Sequence, residues 1–252
     1  MAVIFIDTNK FIDFYQEAKD PLALLDEIKT HTDKLIVTDQ VYNEFHQNRV
    51  ATLKWLINEF AKTTNHVAPR SSSILNAYGP FAELKTLLNQ AKGKAKEIRR
   101  YLESIVSDIT ADPVAKLFDE IYESAAFKLD TALEIIDAAR HRKLLGRPPT
   151  SPDKHTIGDE VIWETLLAHL RDDLILVSRD KTYSDNLFLL STEFTLRTKH
   201  TIRITENVAD ALRLAGEVPS DRLKQEETQI AEQLPQLLPQ SSGSSGRAAS
   251  TA

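Results

Sequence analysis

Four acidic residues stand where carboxylates can meet one another: Asp7, Glu44, Asp159 and Asp180. Asp7 and Asp180 follow the short apolar runs Val3-Ile-Phe-Ile6 and Leu174-Ile-Leu-Val-Ser178 by one or two positions. In open parallel sheets ligands bind beyond the carboxyl ends of such strands. Glu44 falls in the second turn of a helix, and Asp159 opens another directly after Ile157-Gly158, so both helices could aim a carboxylate at the same edge. Anions brought together need a counter-ion. A hard divalent cation such as Mg²⁺ or Mn²⁺ takes oxygen ligands and is held by a few carboxylates together with water and phosphate. Each acid also has a plainer reading, because Asp7, Asp159 and Asp180 suit helix N-caps and Glu44 suits a solvated helix surface. Glu160, Glu164 and Asp185 are further acids nearby. Glu160 and Glu164 are one helical turn apart, and either could take the place of Asp159.

The elements that must position these acids follow from periodicity. Residues 3–6, 34–38, 174–178 and 201–205 are short, apolar and β-branched, as buried parallel strands are. Phe11, Ile12, Phe14 and Tyr15 recur at helical spacing with Thr8 or Asn9 as cap, and Pro21 opens a second helix through Leu22, Leu25 and Ile28. Thr38 or Asp39 can cap the helix that carries Val41, Glu44, Phe45, Leu53 and Leu56. Residues 74–145 offer helical spacing and no convincing strand, with a break at Asp112-Pro113. A turn-rich loop, Gly146 to Asp153, precedes the helix from Asp159 through Ile162, Leu166 and Leu170. Strands alternating with helices predict an α/β fold, a three-layer sandwich with a mostly parallel sheet of about four to five strands and helices on both faces.

Composition excludes several classes. The chain has 252 residues, 42% hydrophobic and 27% charged, with no cysteine, so disulfide frameworks, thiolate metal sites and cysteine nucleophiles are ruled out. A net charge of −6 argues against a protein that coats nucleic acid passively, though not against one whose metal ions supply positive charge. The apolar run at the N-terminus ends at Asp7, far short of a membrane span, which leads us to expect a cytoplasmic location and no membrane partner. Neither a phosphate-binding glycine loop nor a G-x-S-x-G elbow is present. A phosphoacceptor receiver domain would need an acidic pair after the first strand, where this chain has Asp7 alone.

Four blocks in order, Phe5-Ile-Asp7-Thr8-Asn9, Val41-Tyr-Asn-Glu44-Phe45, Ile157-Gly-Asp159 and Val177-Ser178-Arg179-Asp180, resemble the PIN-domain family. Arg147-Pro-Pro-Thr, Trp163-Glu164 and the run through Lys181 are similar to a bacterial PIN-like subfamily with a long helical insertion. The likeness covers about residues 1–215. It implies a nuclease domain at 1–217, with 74–145 as the insertion and 218–252 as a polar C-terminal tail. It further implies that Asp7, Glu44, Asp159 and Asp180 bind Mg²⁺ or Mn²⁺, that Asn9 and Ser178 support them, and that Thr8 orders the turn. The family's chemistry is in-line attack of water on phosphorus with metal stabilising the leaving 3′ oxygen. RNA is implied over DNA as substrate, in a toxin-like or phage-defence setting. A PIN-like domain without catalysis, serving as a scaffold, is the alternative. A regulatory protein could dock on the insertion, and a homodimer could form through Ile230 and Leu234 of a Gln-rich helix near 222–238.

Basic residues that could grip a phosphate backbone cluster at Arg140, Arg142, Lys143 and Arg147, with Arg179 and Lys181 beside the candidate acids. A second basic cluster, Lys92 to Arg100, reads as a solvated helix face. Trp55 and Trp163 lie beside apolar residues at helical spacing and are expected in the core.

Overall fold

The computed structural model describes residues 2–16, 21–65, 69–151 and 155–224. The segment proposed for dimerisation, with Ile230 and Leu234, lies outside them, as do Pro152 and Asp153. The chain runs β1 (Ala2–Ile6), α1 (Thr8–Asp13), α2 (Pro21–Thr30), β2 (Leu35–Thr38), α3 (Asp39–Asn65), α4 (Ser73–Asn76), α5 (Gly79–Ser107), α6 (Pro113–Ser124), β3 (Phe127–Leu129) and α7 (Leu133–Leu144). It continues through α8 (Gly158–His169), β4 (Asp173–Val177), α9 (Lys181–Ser184), α10 (Leu187–Thr198), β5 (Ile202–Thr205) and α11 (Val208–Leu214).

All five strands pair in parallel in the order β3-β2-β1-β4-β5. Consecutive residues of β1, β2 and β4 are buried, so both faces of the central sheet are covered by helices. From β1 the chain first builds outward to β2 and β3, then returns across β1 to add β4 and β5 on its other side. The switch point therefore falls between β1 and β4, where open α/β sheets leave a crevice beyond the strand ends.

β3 corrects the expectation that residues 74–145 hold no strand. It is three residues long at the sheet edge, and Phe127 and Lys128 are exposed, so it carries no buried apolar pattern to read. The excursion away from the sheet is chiefly α5, 29 residues packed along α3, with Phe81 and Ile105 buried and Leu87 and Tyr101 exposed. Trp163 is fully buried, as expected, but Trp55 on α3 is 44% exposed and is not a core residue. α10 was not anticipated, although Leu190 and Phe194, buried one turn apart, supply its periodicity.

One cap differs from expectation and one follows it. The N-cap of α1 is Asp7, not Thr8 or Asn9, and the first turn of α3 is capped by Thr38, whose Oγ1 accepts from Val41 N at 3.1 Å. Asp39 turns instead to the β3–α7 connection, accepting from Thr131 N and Oγ1 at 3.0 and 2.5 Å. The described part of the segment read as a polar tail is anchored. Leu223 joins the core, and Ser220 donates to Glu27 on α2 through its backbone N and its hydroxyl.

Candidate active site

Parallel register brings the first pair together. Ile6 stands opposite Val177, so the next residues, Asp7 and Ser178, emerge side by side from β1 and β4. Asp7 N donates to Val177 O at 3.0 Å, and Ser178 Oγ donates to Asp7 Oδ2 at 2.8 Å. The same Ser178 oxygen accepts from Asp180 N at 3.0 Å, which ties Asp7 to the loop that carries Asp180. Asp7 occupies an N-cap position yet makes no side-chain cap bond, so capping does not account for its carboxylate. Asp180 does cap: its Oδ1 accepts from Thr182 N at 2.8 Å and from Thr182 Oγ1 at 2.7 Å.

Helices α3 and α8 bring the other two acids. Glu44 Oε2 accepts from Thr8 Oγ1 at 3.0 Å and its Oε1 from Gln40 Nε2 at 2.8 Å, which fixes the carboxylate against the start of α1. That carboxylate also lies against Gly158, where a Cβ would sit 1.8 Å from Glu44 Oε1, so only glycine leaves it this position. Asp159 is the second residue of α8, and the N-cap, Ile157, makes no side-chain cap bond. A carboxylate at that position suits the positive end of the helix dipole.

The electrostatics show that these four acids share one environment. Burial raises the Asp7 pKa to about 7, the Ser178 hydrogen bond opposes the rise, and the charges of Asp159, Glu44 and Asp180 add to it. Asp7 is 3% exposed, and among the described residues no basic side chain pairs with it. Tyr183 feels the same four acids: burial and then Asp7, Asp159, Asp180 and Glu44 push its pKa well up. Its hydroxyl is buried and has no hydrogen-bond partner among the described residues. Nothing in the sequence flagged Tyr183, because α9 is a single turn with no periodicity to show which side faces inward. Among the described residues, no three His, Asp or Glu side chains form a ready metal-ligand cluster. The carboxylates are electrostatic neighbours rather than a closed cage.

Several candidates are placed elsewhere. Glu160, 1% exposed, accepts from Thr150 Oγ1 at 2.5 Å and pairs with Lys143 at 3.2 Å. Glu164 accepts from Arg142 Nε and Nη2 at 2.9 and 2.7 Å. Both acids are thus paired with basic side chains across the α7–α8 interface. Asp185 and Asn9 are exposed.

The basic residues expected to grip phosphate have the following partners. Arg142 is 4% exposed, holds Glu164 and Glu193 together and donates to Pro148 O, which makes it a buried tie between α7, α8 and α10. Lys143 donates to Ser151 O as well as pairing with Glu160. Arg179 pairs with Asp13 at 3.0 Å, and Arg140 pairs with Asp137 on its own helix. Arg147 and Lys181 are exposed.

A parallel five-stranded sheet with acids converging at its switch point defines an α/β domain built to gather carboxylates. The PIN domain family model matches residues 4–183, and the chain belongs to that family, whose fold is a nuclease fold that binds nucleic acid. The match takes in all four acids and ends at Tyr183. No curated protein and no solved structure matches the chain. Among the described residues no helix is long and apolar enough to cross a membrane.

Proposed function

We propose that this protein is a metal-dependent nuclease that hydrolyses phosphodiester bonds, with single-stranded RNA as its substrate and Asp7, Glu44, Asp159 and Asp180 as the acids that hold Mg²⁺ or Mn²⁺. The observation that carries this reading is the state of Asp7. A buried carboxylate with one hydroxyl donor, three acidic neighbours and no basic partner is costly to ionise, and a divalent cation is the charge that would relieve it. The donor set fits such an ion: it is all hard oxygen, contributed by four separate elements, and Gly158 leaves room for Glu44 among them.

When bound, the cation would activate water and stabilise charge on the leaving 3′ oxygen. The chain's own residues would do the positioning. Ser178 orients Asp7 and the Asp180 loop through one oxygen, and Thr8 orients Glu44. Exposed Arg147 and Lys181 would meet the phosphate backbone, whereas Arg142, Lys143 and Arg179 serve the fold. We extend the reading to an endoribonuclease of toxin-like or phage-defence type acting in the cytoplasm, with a regulatory protein and a second copy of the chain as candidate partners.

The test is cleavage of labelled RNA and single-stranded DNA with Mg²⁺, with Mn²⁺ and with chelator, by wild type and Asp7→Asn. Metal-dependent cutting lost in the variant is the expected result. No cutting under any metal, with metal binding unchanged in the variant, would overturn it in favour of a catalytically silent scaffold.

A further inference from the structure

Tyr183 is 1% exposed, and among the described residues its hydroxyl finds no hydrogen-bond partner. Buried polar groups in native proteins are nearly always satisfied, and leaving one without a partner is costly. The residue lies one turn beyond Asp180, its backbone N donating to Asp180 O at 3.1 Å, and its phenol senses all four acids of the site. Among the described residues no carboxylate oxygen is hydrogen-bonded to it.

We infer that Tyr183 is a positioning residue of the carboxylate site, its hydroxyl donating a hydrogen bond into the oxygen shell of the divalent cation, an inference that rests on the metal reading above. Tyr15 supplies the contrast. It also lies beside a buried aspartate, but its hydroxyl donates to Asp112 Oδ2 at 2.7 Å and so completes a network within the protein. Tyr183 is placed in the same way but has no protein acceptor. Its missing partner would therefore arrive with the ion, as the outer hydrogen bonds of metal sites do.

Mn²⁺ titration of the full chain, followed by water-proton relaxation, compares wild type with Tyr183→Phe, and thermal melts in chelator are run on both. Removing a hydroxyl that has no partner should leave the metal-free melting temperature unchanged or raised, while the Mn²⁺ dissociation constant rises about 10-fold or more. Tyr15→Phe should do the reverse, melting lower with Mn²⁺ affinity unchanged. Equal Mn²⁺ affinity in wild type and Tyr183→Phe would overturn the inference and leave the metal reading standing. Wild type that binds no Mn²⁺ saturably would overturn both. A lower metal-free melting temperature for Tyr183→Phe would overturn the inference whatever the affinity, because the hydroxyl would then be serving the fold.

Discussion

Two buried aspartates at helix N-termini, Asp7 and Asp112, are treated in opposite ways. Asp112, 1% exposed, accepts from Arg49 Nε at 2.6 Å and Tyr15 Oη at 2.7 Å on one oxygen, and from Val114 N and Ala115 N at 2.9 and 3.2 Å on the other. Arg49 also donates to Ile105 O, so this one network ties the turn after α1 to α3, α5 and α6. Asp7, at 3%, has a single side-chain bond from Ser178 and three acids around it. Where the fold needs a buried charge for its own cohesion, the chain supplies the compensating cation and donors. Where it leaves a buried carboxylate without a basic partner, the proposed cation would supply the compensation, and that contrast separates a candidate site from a strut.

The largest effect should come from breaking the satisfied side. Arg49→Met leaves Asp112 buried and without its cation, and losing one partner of a buried pair costs about 3–5 kcal/mol. Chemical denaturation should show that loss, while cleavage per folded molecule and Mn²⁺ affinity stay at wild-type values. Equal stability would mean that Asp112 is no more compensated than Asp7.

Asp7→Asn should move stability the other way. The folded-state pKa of about 7 lies above the ordinary value of 3.8, so between those pH values the native state holds a proton that the unfolded chain has lost. Stability of the metal-free protein therefore falls as pH rises through that window. The penalty is absent below about pH 4 and complete above about pH 7. Asparagine can still accept from Ser178 but carries no charge. We expect the variant to gain roughly 2–4 kcal/mol at pH 8 and little at pH 4 in chelator, and to lose about 10²–10³-fold or more in cleavage. Stability that rises with pH in wild type would contradict the account of Asp7.

How much of this contrast was legible in the sequence depends on the distance between partners. The strands β1, β2 and β4 and the acids that follow two of them were readable, because burial on both faces writes itself as short apolar runs, and β5 was readable from its β-branched Ile202, Ile204 and Thr205. Glu160 and Glu164 looked equivalent to Asp159, and Arg142 and Lys143 looked like a phosphate grip, because their pairing runs between two helices some twenty positions apart and leaves no local signature. β3 was invisible for a different reason, being exposed at the sheet edge. Tyr183 was missed because a four-residue helix has no periodicity.

Ser178→Ala should have a smaller effect. It removes the bond that opposes the rise in the Asp7 pKa, together with the acceptor for Asp180 N, at a cost of about 1–2 kcal/mol. The Asp7 titration, followed by carboxylate NMR in the metal-free protein, should move further up, and an unchanged titration would place the control of Asp7 elsewhere.

Gly158→Ala should disturb stability least and so isolates geometry from charge. A new Cβ would meet Glu44 Oε1, the far end of a flexible side chain, which can swing away, and alanine at a helical position offsets the lost bonds by up to about 1 kcal/mol. Denaturation should therefore change by no more than about 1 kcal/mol. Glu44, however, can no longer keep its carboxylate between Thr8, Gln40 and the start of α8, so Mn²⁺ affinity should fall about 10-fold or more. Glu160→Gln is the matched control, since that acid is already neutralised by Lys143 and hydrogen-bonded by Thr150. If Gly158→Ala binds Mn²⁺ as wild type does while Glu160→Gln does not, the ion would belong at the α7–α8 interface, and the distinction drawn between compensated and uncompensated acids would have to be reversed.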